Sequence, residues 1–473
     1  MKTFKFKTKV FSSKFALLVL FILIVSSCQK EDQLDKNVNL FDDEQVHTLK
    51  LISYQSDMWK NLVADKKFKS EKDKTNYQSC KIEIDGNTLD SIGVRFKGES
   101  SYDFQTNKKK SFKIEFGRFI KKQKYQGLQK ISLNNQFRDP TFMREKLMLD
   151  IIASEGLPVS RSSYCKVYFN DEYLGLYLLV EEIGKGFLKK NFTHKSGNLY
   201  NGKPLATLKI PTDSITALKR CYRRNTNKKS KDFSDLDNLI QKINSNEPES
   251  VYVKNLNAVF NTEDCLKLWA INNFFVNVDA YNLLYPHNYF LYFDKAKLKD
   301  VSKDTLNDKQ KKKKKKDKKK KKTKMVTKTT GKANWIGYDY NYAFGGWSPK
   351  FTLEQIYNFD ILYVNTPAKD VPLAQKLLKD IPTYRKFYLN YLNTLLTKKI
   401  ESGWVDDKIE SYYDLIKDDV YNDVYKLSSS KDFELNLEET IGDKNDPGAF
   451  TPGLNEFINN RKEAVKTQLE RYR

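Results

Sequence analysis

Late in the chain the sequence reads WIGYDYNYAFGGW, from Trp335 to Trp347. Asp339 and Asn341 stand two residues apart in an apolar, aromatic run that breaks into Gly345 and Gly346. Two readings compete. Asp and Asn are common in turns because their side chains hydrogen-bond the nearby backbone; the other reading is a metal-holding carboxylate at a strand end, where side chains converge on a cleft. A second acid, Asp279 in FFVNVD, follows an apolar helical run. Negative charge is disfavoured at a helix C-terminus, so an acid there needs a reason. In KGESSY, Lys97 to Tyr102, Gly98 and the small Ser100 and Ser101 let backbone amides approach phosphate oxygens closely; the plain alternative is a turn between two strands. The sequence has no GxxxxGK[ST], HExxH or GxSxG, so it offers no P-loop, zinc-peptidase or serine-hydrolase signature.

These residues need elements to position them. From Gln45 to Lys66 the apolar positions Leu49, Ile52, Trp59 and Leu62 predict a helix. CKIEIDGNTLDSIGVRFKG then carries two alternating segments around Asp85-Gly86-Asn87, a strong hairpin signal. KKKSFKIEF follows as a strand, with Lys110, Phe112, Ile114 and Phe116 on one face and Lys109, Ser111, Lys113 and Glu115 on the other. A helix is predicted from Pro140 to Ser154, stopped by Gly156-Leu157-Pro158. YCKVYFNDEYLGLYLLVEEI reads as a second hairpin turning at Asn170-Asp171, and a long apolar helix runs from Thr262 to about Val278. HNYFLYFD and WIGYDYNYAFG read as two halves of a hairpin split by a Lys-rich insert, and beyond Pro372 the pattern is helical.

Length and composition fit a large globular unit. The 473 residues are 39% hydrophobic, with 28 Tyr and 30 Phe, which excludes wholesale disorder. The net charge is +24, but Lys309 to Lys324 holds thirteen Lys against one Asp, so sixteen residues supply +12, half of the total. Charge concentrated in this way is not a basic face, and no specific nucleic-acid partner is expected. A run of like charges reads as a self-repelling loop. The insert, 295–334, would reach about 35 Å as a flexible chain, far enough to recruit an acidic polymer near a cleft. Cys80, Cys165, Cys221 and Cys265 show no CxxC spacing and read as small buried hydrophobes.

The first residues suggest export. Lysines 2, 5, 7, 9 and 14 precede an eleven-residue apolar core, Phe15 to Val25, too short for a bilayer-spanning helix of about 20 residues. VSSC, Val25 to Cys28, resembles a bacterial lipobox. That implies a lipoprotein signal over 1–27, a lipidated Cys28 anchored in a membrane, and a polar tether over 28–44. The following QKEDQ is similar to a signal that sends some Gram-negative lipoproteins to the cell surface, so the expected location is the outer membrane or cell surface, outside the cytoplasm.

GVRFKGESSYDFQTNKKKSFKIEF, YLGLYLLVEEI, NVDAYNLLYPHNYFLYFD and YDYNYAFG, in this order, together with the closing FINNRKEAVKTQL, resemble the CotH family of spore-coat kinases from about Gln45 to Leu469. The resemblance implies an α+β, two-lobed fold like an atypical protein kinase, with a small β-rich N-lobe carrying one helix (45–188) and a larger, mainly helical C-lobe (189–473). It implies transfer of the γ-phosphate of ATP to Ser or Thr of an extracytoplasmic protein, or of the chain itself, with Mg2+. In the kinase template Gly98, Ser100 and Ser101 border the phosphates and Lys109 or Lys110 contacts them; Arg144 reaches phosphate, or Glu145 pairs with the strand lysine. Glu181 lies behind the adenine, Asp279 orients the acceptor hydroxyl, and Asn288, Asp339 and Asn341 hold Mg2+. His287 takes no part in the proton chemistry.

Two rivals remain at this stage. A catalytically inactive surface or adhesion lipoprotein of the same family would bind no nucleotide with Mg2+. A polyanion-binding module would show salt-sensitive binding that disappears without residues 309–324.

Overall fold

The computed structural model describes residues 39–67, 76–210, 214–294, 331–365 and 370–472. The signal segment, Cys28, most of the tether and the Lys-rich tract lie outside the described residues.

The segment expected to form a single helix divides in two. His47–Ser53 is a strand (β1), and only Met58–Lys67 is helical. HTLKLIS buries His47, Leu49 and Leu51 on one side, the period of two that a half-buried strand requires. β2 (Gln78–Ile84) and β3 (Asn87–Phe96) form the expected hairpin, with Asp85 and Gly86 at positive φ in its turn. β4 (Phe112–Glu115), β5 (Lys130–Asn134), β6 (Ser162–Phe169) and β7 (Glu172–Glu181) complete the sheet, β6 and β7 turning at Asn170.

Placing β1 changes the architecture. It pairs antiparallel with β2 and parallel with β6, so seven strands close in the order β1-β2-β3-β4-β5-β7-β6. This corrects the expected fold class: a closed seven-stranded barrel with helices is not a two-lobed kinase-like fold with a small β N-lobe. Leu49, Ile82, Val94, Phe96, Phe112, Ile114, Leu133, Val167 and Leu179 belong to one buried cluster that fills the barrel. Each such side chain contributes about 1.5–3 kcal/mol by leaving water. Alternation then turns Arg95, Lys97, Lys113, Glu115, Ser132 and Asn134 to the barrel's outer face, where all six line a cavity.

Opposite that face lies a four-stranded sheet in the order β11-β10-β8-β9 (Ala333–Gly337, Tyr289–Phe293, Asn198–Gly202, Tyr222–Arg224). β10 and β11 pair antiparallel from Tyr289 opposite Gly337 to Phe293 opposite Ala333, so the split hairpin forms as the sequence predicts. The helix after β5 begins at Arg144 rather than Pro140 and ends at Ser154, before Gly156 at φ +71. The long apolar helix covers Thr262–Phe274 and gives way to turns before Val278. Beyond Pro372 the described residues are mainly helical, with connecting turns and a small pair of two-residue strands, Ile441–Gly442 with Phe450–Thr451. Cys80, Cys165 and Cys265 are buried and Cys221 partly so; none is in a disulfide.

Candidate functional site

A cavity of about 1130 Å3 separates the outer face of β3, β4 and β5 from the loops that follow the helix Thr262–Phe274 and strand β11. Its two walls carry different chemistry.

On the helical side, Asp279, His287, Asn288 and Asp339 come together although they span 60 residues of sequence. The register of β10 with β11 sets Asn288 beside Tyr338, whose N–H donates to the Asn288 carbonyl at 3.1 Å. Asn288 also donates its side-chain amide to the Asp279 carboxylate at 2.8 Å and to the Asp279 carbonyl at 3.1 Å. His287 Nε2 lies 2.6 Å from the other carboxylate oxygen of Asp279. Asn288 and Asp339 sit at φ +57 and +68, a conformation that costs a non-glycine residue energy and is found preferentially at functional sites. The chain then folds back through Phe344, whose N–H donates to the Phe275 carbonyl at 2.6 Å, and Gly345 at φ +62. A Cβ on Gly345 would stand 2.5 Å from Ile356, so the break after the aromatic run is a close-packed turn.

Asp339 is exposed where it opens onto the cavity. Burial raises its pKa, Lys97 lowers it, the charge of Asp279 raises it and His287 lowers it, with a net upward shift. A carboxyl held above its usual range beside a second carboxylate is a place where a cation relieves repulsion. The donors fit Mg2+: the carboxylate of Asp339 and the amide oxygen of Asn341, which also lines the cavity, are hard oxygen sources that substrate phosphates can complete. Among the described residues no three His, Cys, Asp or Glu side chains gather to hold a metal on their own.

The barrel side supplies the cations. Lys97 donates to Asn134 Oδ1 at 2.6 Å, and Asn134 Nδ2 donates to Glu145 Oε2 at 2.7 Å. Burial and the charge of Asp339 push Glu145 up to about 7, against the pull of Lys97 and Asn134. Lys113 pairs with Glu182 at 2.7 Å, and Ser132 donates to the same carboxylate. Burial works against the charge on Glu182, yet Lys113 and Lys97 hold it down at about 2, while burial lowers Lys113 despite Glu182.

The strand lysines expected at the phosphates lie elsewhere. Lys109 is fully buried, ion-paired with Asp423 and packed against Phe142 and Tyr177. Lys110 donates to the carbonyls of Tyr102 and Gln105. Neither lines the cavity. Arg144 is also buried and off the cavity. It bonds Asp139 at 2.7 Å, Asn436 at 3.0 Å and the Pro452 carbonyl, tying its helix to the C-terminal region. Glu181 does line the cavity, held bidentately by Arg161 at 2.9 and 3.1 Å. Gly98, Ser100 and Ser101 line it too. Gly98 sits at φ +85, and a Cβ there would strike Ser101 Oγ. The expectation named neither Lys97 nor Lys113 as a site residue, nor Glu182. Strand alternation from Phe112 and Ile114 was the signal for Lys113.

A family model described as CotH kinase protein matches residues 94–465. Over 205 residues the chain is 27% identical to inner spore coat protein H of Bacillus subtilis (strain 168), covering 42% of this chain and 53% of that protein. The match therefore spans about half the length of that relative.

Proposed function

The chain belongs to the family of CotH kinase proteins, and on that premise we propose that it transfers the γ-phosphate of ATP to a Ser or Thr hydroxyl of a protein outside the cytoplasm, or of itself. The observation that carries this reading is the meeting of Asp279 and Asp339 across the cavity from Lys97 and Lys113. Phosphoryl transfer asks the protein mainly to position reactants and balance charge. An acid pair facing a cation pair supports both.

In this reading Lys97 and Lys113 replace Lys109 and Lys110 at the phosphates, and the turn with Gly98, Ser100 and Ser101 borders them. Asp339 and Asn341, with Asn288 nearby, would hold Mg2+, which would offset the negative charge of the phosphates. Val180, Leu199 and Phe290, beside Glu181, offer an apolar seat for the base. Asp279, steadied by His287 and Asn288, accepts the hydrogen bond of the acceptor hydroxyl. The bond from that oxygen to the γ-phosphorus forms, the β–γ bridging P–O bond breaks, ADP leaves, and the hydroxyl proton passes to Asp279 or solvent.

A lipidated Cys28 would anchor the chain at the outer membrane or cell surface. The relative's name, a spore coat protein, supports a role at a surface outside the cytoplasm. Incubation of the full chain with γ-labelled ATP and Mg2+ should label the chain itself or a co-incubated acceptor, and chelation should abolish the label. Absence of any label with Mg2+ present would count against the kinase reading. Mass spectrometry should find a diacylated Cys28 as the mature N-terminus.

A further inference from the structure

The cavity has a second cationic feature beside the two lysines. Rows of residues run across the barrel's outer face. Arg95 stands opposite Lys113 and Lys113 opposite Ser132, while Gly93 stands opposite Glu115. Gly93 is the notable member. A Cβ there would lie 2.6 Å from Arg118 Cβ, 2.7 Å from Arg118 Cγ and 3.0 Å from the Tyr77 ring. Its backbone is not in the left-handed region, so the missing side chain serves space rather than conformation: it lets Arg118 lie across the strand. There the Arg118 guanidinium carbon is 4.8 Å from the centre of the Tyr77 ring, and that of Arg95 is 5.5 Å from the same ring.

Two guanidinium groups on one tyrosine repel each other. Among the described residues neither Arg95 nor Arg118 has an ion pair. Glu115, the acid in the neighbouring row, is committed to Lys130 at 3.0 Å. Arg95 donates one N–H to the Phe96 carbonyl at 2.9 Å, and its Nε is buried without a partner. All three side chains line the same cavity as Asp339. Arg95 lies two residues from Lys97 along one strand face, about 7 Å away by strand rise, and directly opposite Lys113, so the arginines extend the row of lysines to one side.

We propose that Arg95 and Arg118, braced on Tyr77, form a subsite for one further phosphate group. Planar guanidinium donors suit the tetrahedral array of phosphate oxygens and are strongest when paired bidentately with it. A cavity of about 1130 Å3 is at or above the roughly 300–1,000 Å3 of an ordinary small-ligand site, which leaves room for a ligand phosphorylated at a second position. The proposal rests on the nucleotide reading of the cavity, and the phosphate has two possible sources, the ligand in the cavity or free inorganic phosphate.

Calorimetric titration of the full chain with ADP, with adenosine 3′,5′-bisphosphate and AMP as a matched pair, and with inorganic phosphate separates these cases. A ligand-borne source predicts that the bisphosphate binds at least tenfold more tightly than AMP, and that Arg118→Ala removes the difference while leaving ADP affinity unchanged. A free source predicts inorganic phosphate binding that Arg118→Ala weakens at least tenfold. Gly93→Ala, which keeps every charge but displaces Arg118, should reproduce either loss and guards against misfolding of the arginine variant. ADP binding with no preference for the bisphosphate and no phosphate binding overturns the subsite and leaves the proposed function standing. Phosphate binding without ADP binding supports the subsite and counts against the proposed function; binding of none of the ligands overturns both.

Discussion

Lys97 and Glu145 are joined through one side chain. Asn134 accepts from the Lys97 ammonium at 2.6 Å and donates to the Glu145 carboxyl at 2.7 Å. The amide keeps cation and acid in register without pairing them directly, leaving the ammonium near Asp339 and the carboxyl buried. A buried carboxyl in that place has a consequence for stability.

Glu145→Gln should make the protein's stability less sensitive to a rise in pH through the acid range to neutrality. The folded carboxyl titrates at about 7 against an ordinary 4.5, so between those values the unfolded chain ionises first and stability falls as pH rises, levelling off above 7. A shift of that size corresponds to about 3 kcal/mol. Thermal denaturation at pH 5 and pH 8 should therefore show a decline in wild type that the glutamine variant lacks. Equal declines in both proteins would place the pH dependence elsewhere.

Lys109→Met should destabilise the fold rather than the chemistry. Asp423 accepts from Lys109 and from the Leu176 N–H at 2.9 Å, with both charged side chains fully buried. Removing one partner of such a pair typically costs about 3–5 kcal/mol, because the other charge is left uncompensated. A large drop in Tm is expected, partly restored by adding Asp423→Asn. A Tm within a degree of wild type would show that Asp423 has another counter-charge.

The lysines also show what the sequence disclosed and what it hid. From Phe112 onward alternation separates core from cavity, so Lys113 and Ser132 follow from a period of two. The same alternation extended back to Lys109 and Lys110 misleads, because β4 begins only at Phe112. Asp279 and Asp339 were legible as types with a purpose, since an acid after a helix and an Asp in an aromatic strand both need explaining, whereas Asn288 followed only from the family resemblance. Their convergence depends on pairing across the hairpin formed by β10 and β11. Closure of the barrel was hidden for a related reason. His47–Ser53 satisfies both a helical and a strand pattern locally, and what decides is its pairing with Cys165 to Phe169 more than a hundred residues away.

Lys113→Met should lower phosphoryl transfer by about tenfold or more, whereas Lys110→Met should leave it within about twofold. Lys113 faces the cavity and holds Glu182, while the Lys110 ammonium is occupied by two backbone carbonyls. Initial rates with labelled ATP, compared at equal folded protein, decide between them. The reverse ranking would return the phosphate role to the start of the strand.

Asp339 and Asp279 should be separable in function, although each feels the other's charge. Asp339 opens onto the cavity with its pKa raised, so the reading that it holds Mg2+ against the phosphates makes nucleotide affinity depend on it. Asp279 has one oxygen on His287 and the other on Asn288, which suits a group that orients an acceptor rather than one that gathers phosphates. Asp339→Asn should weaken Mg2+-dependent ATP binding and abolish transfer; Asp279→Asn should abolish transfer with ATP affinity nearly unchanged. Both changes preserve size, and circular dichroism of each variant guards against misfolding. Calorimetry with and without Mg2+, beside the labelling assay, gives the comparison. Equal losses of nucleotide affinity in the two variants would mean that the acids act as one cation site, and wild-type labelling by either variant would remove that residue from the mechanism.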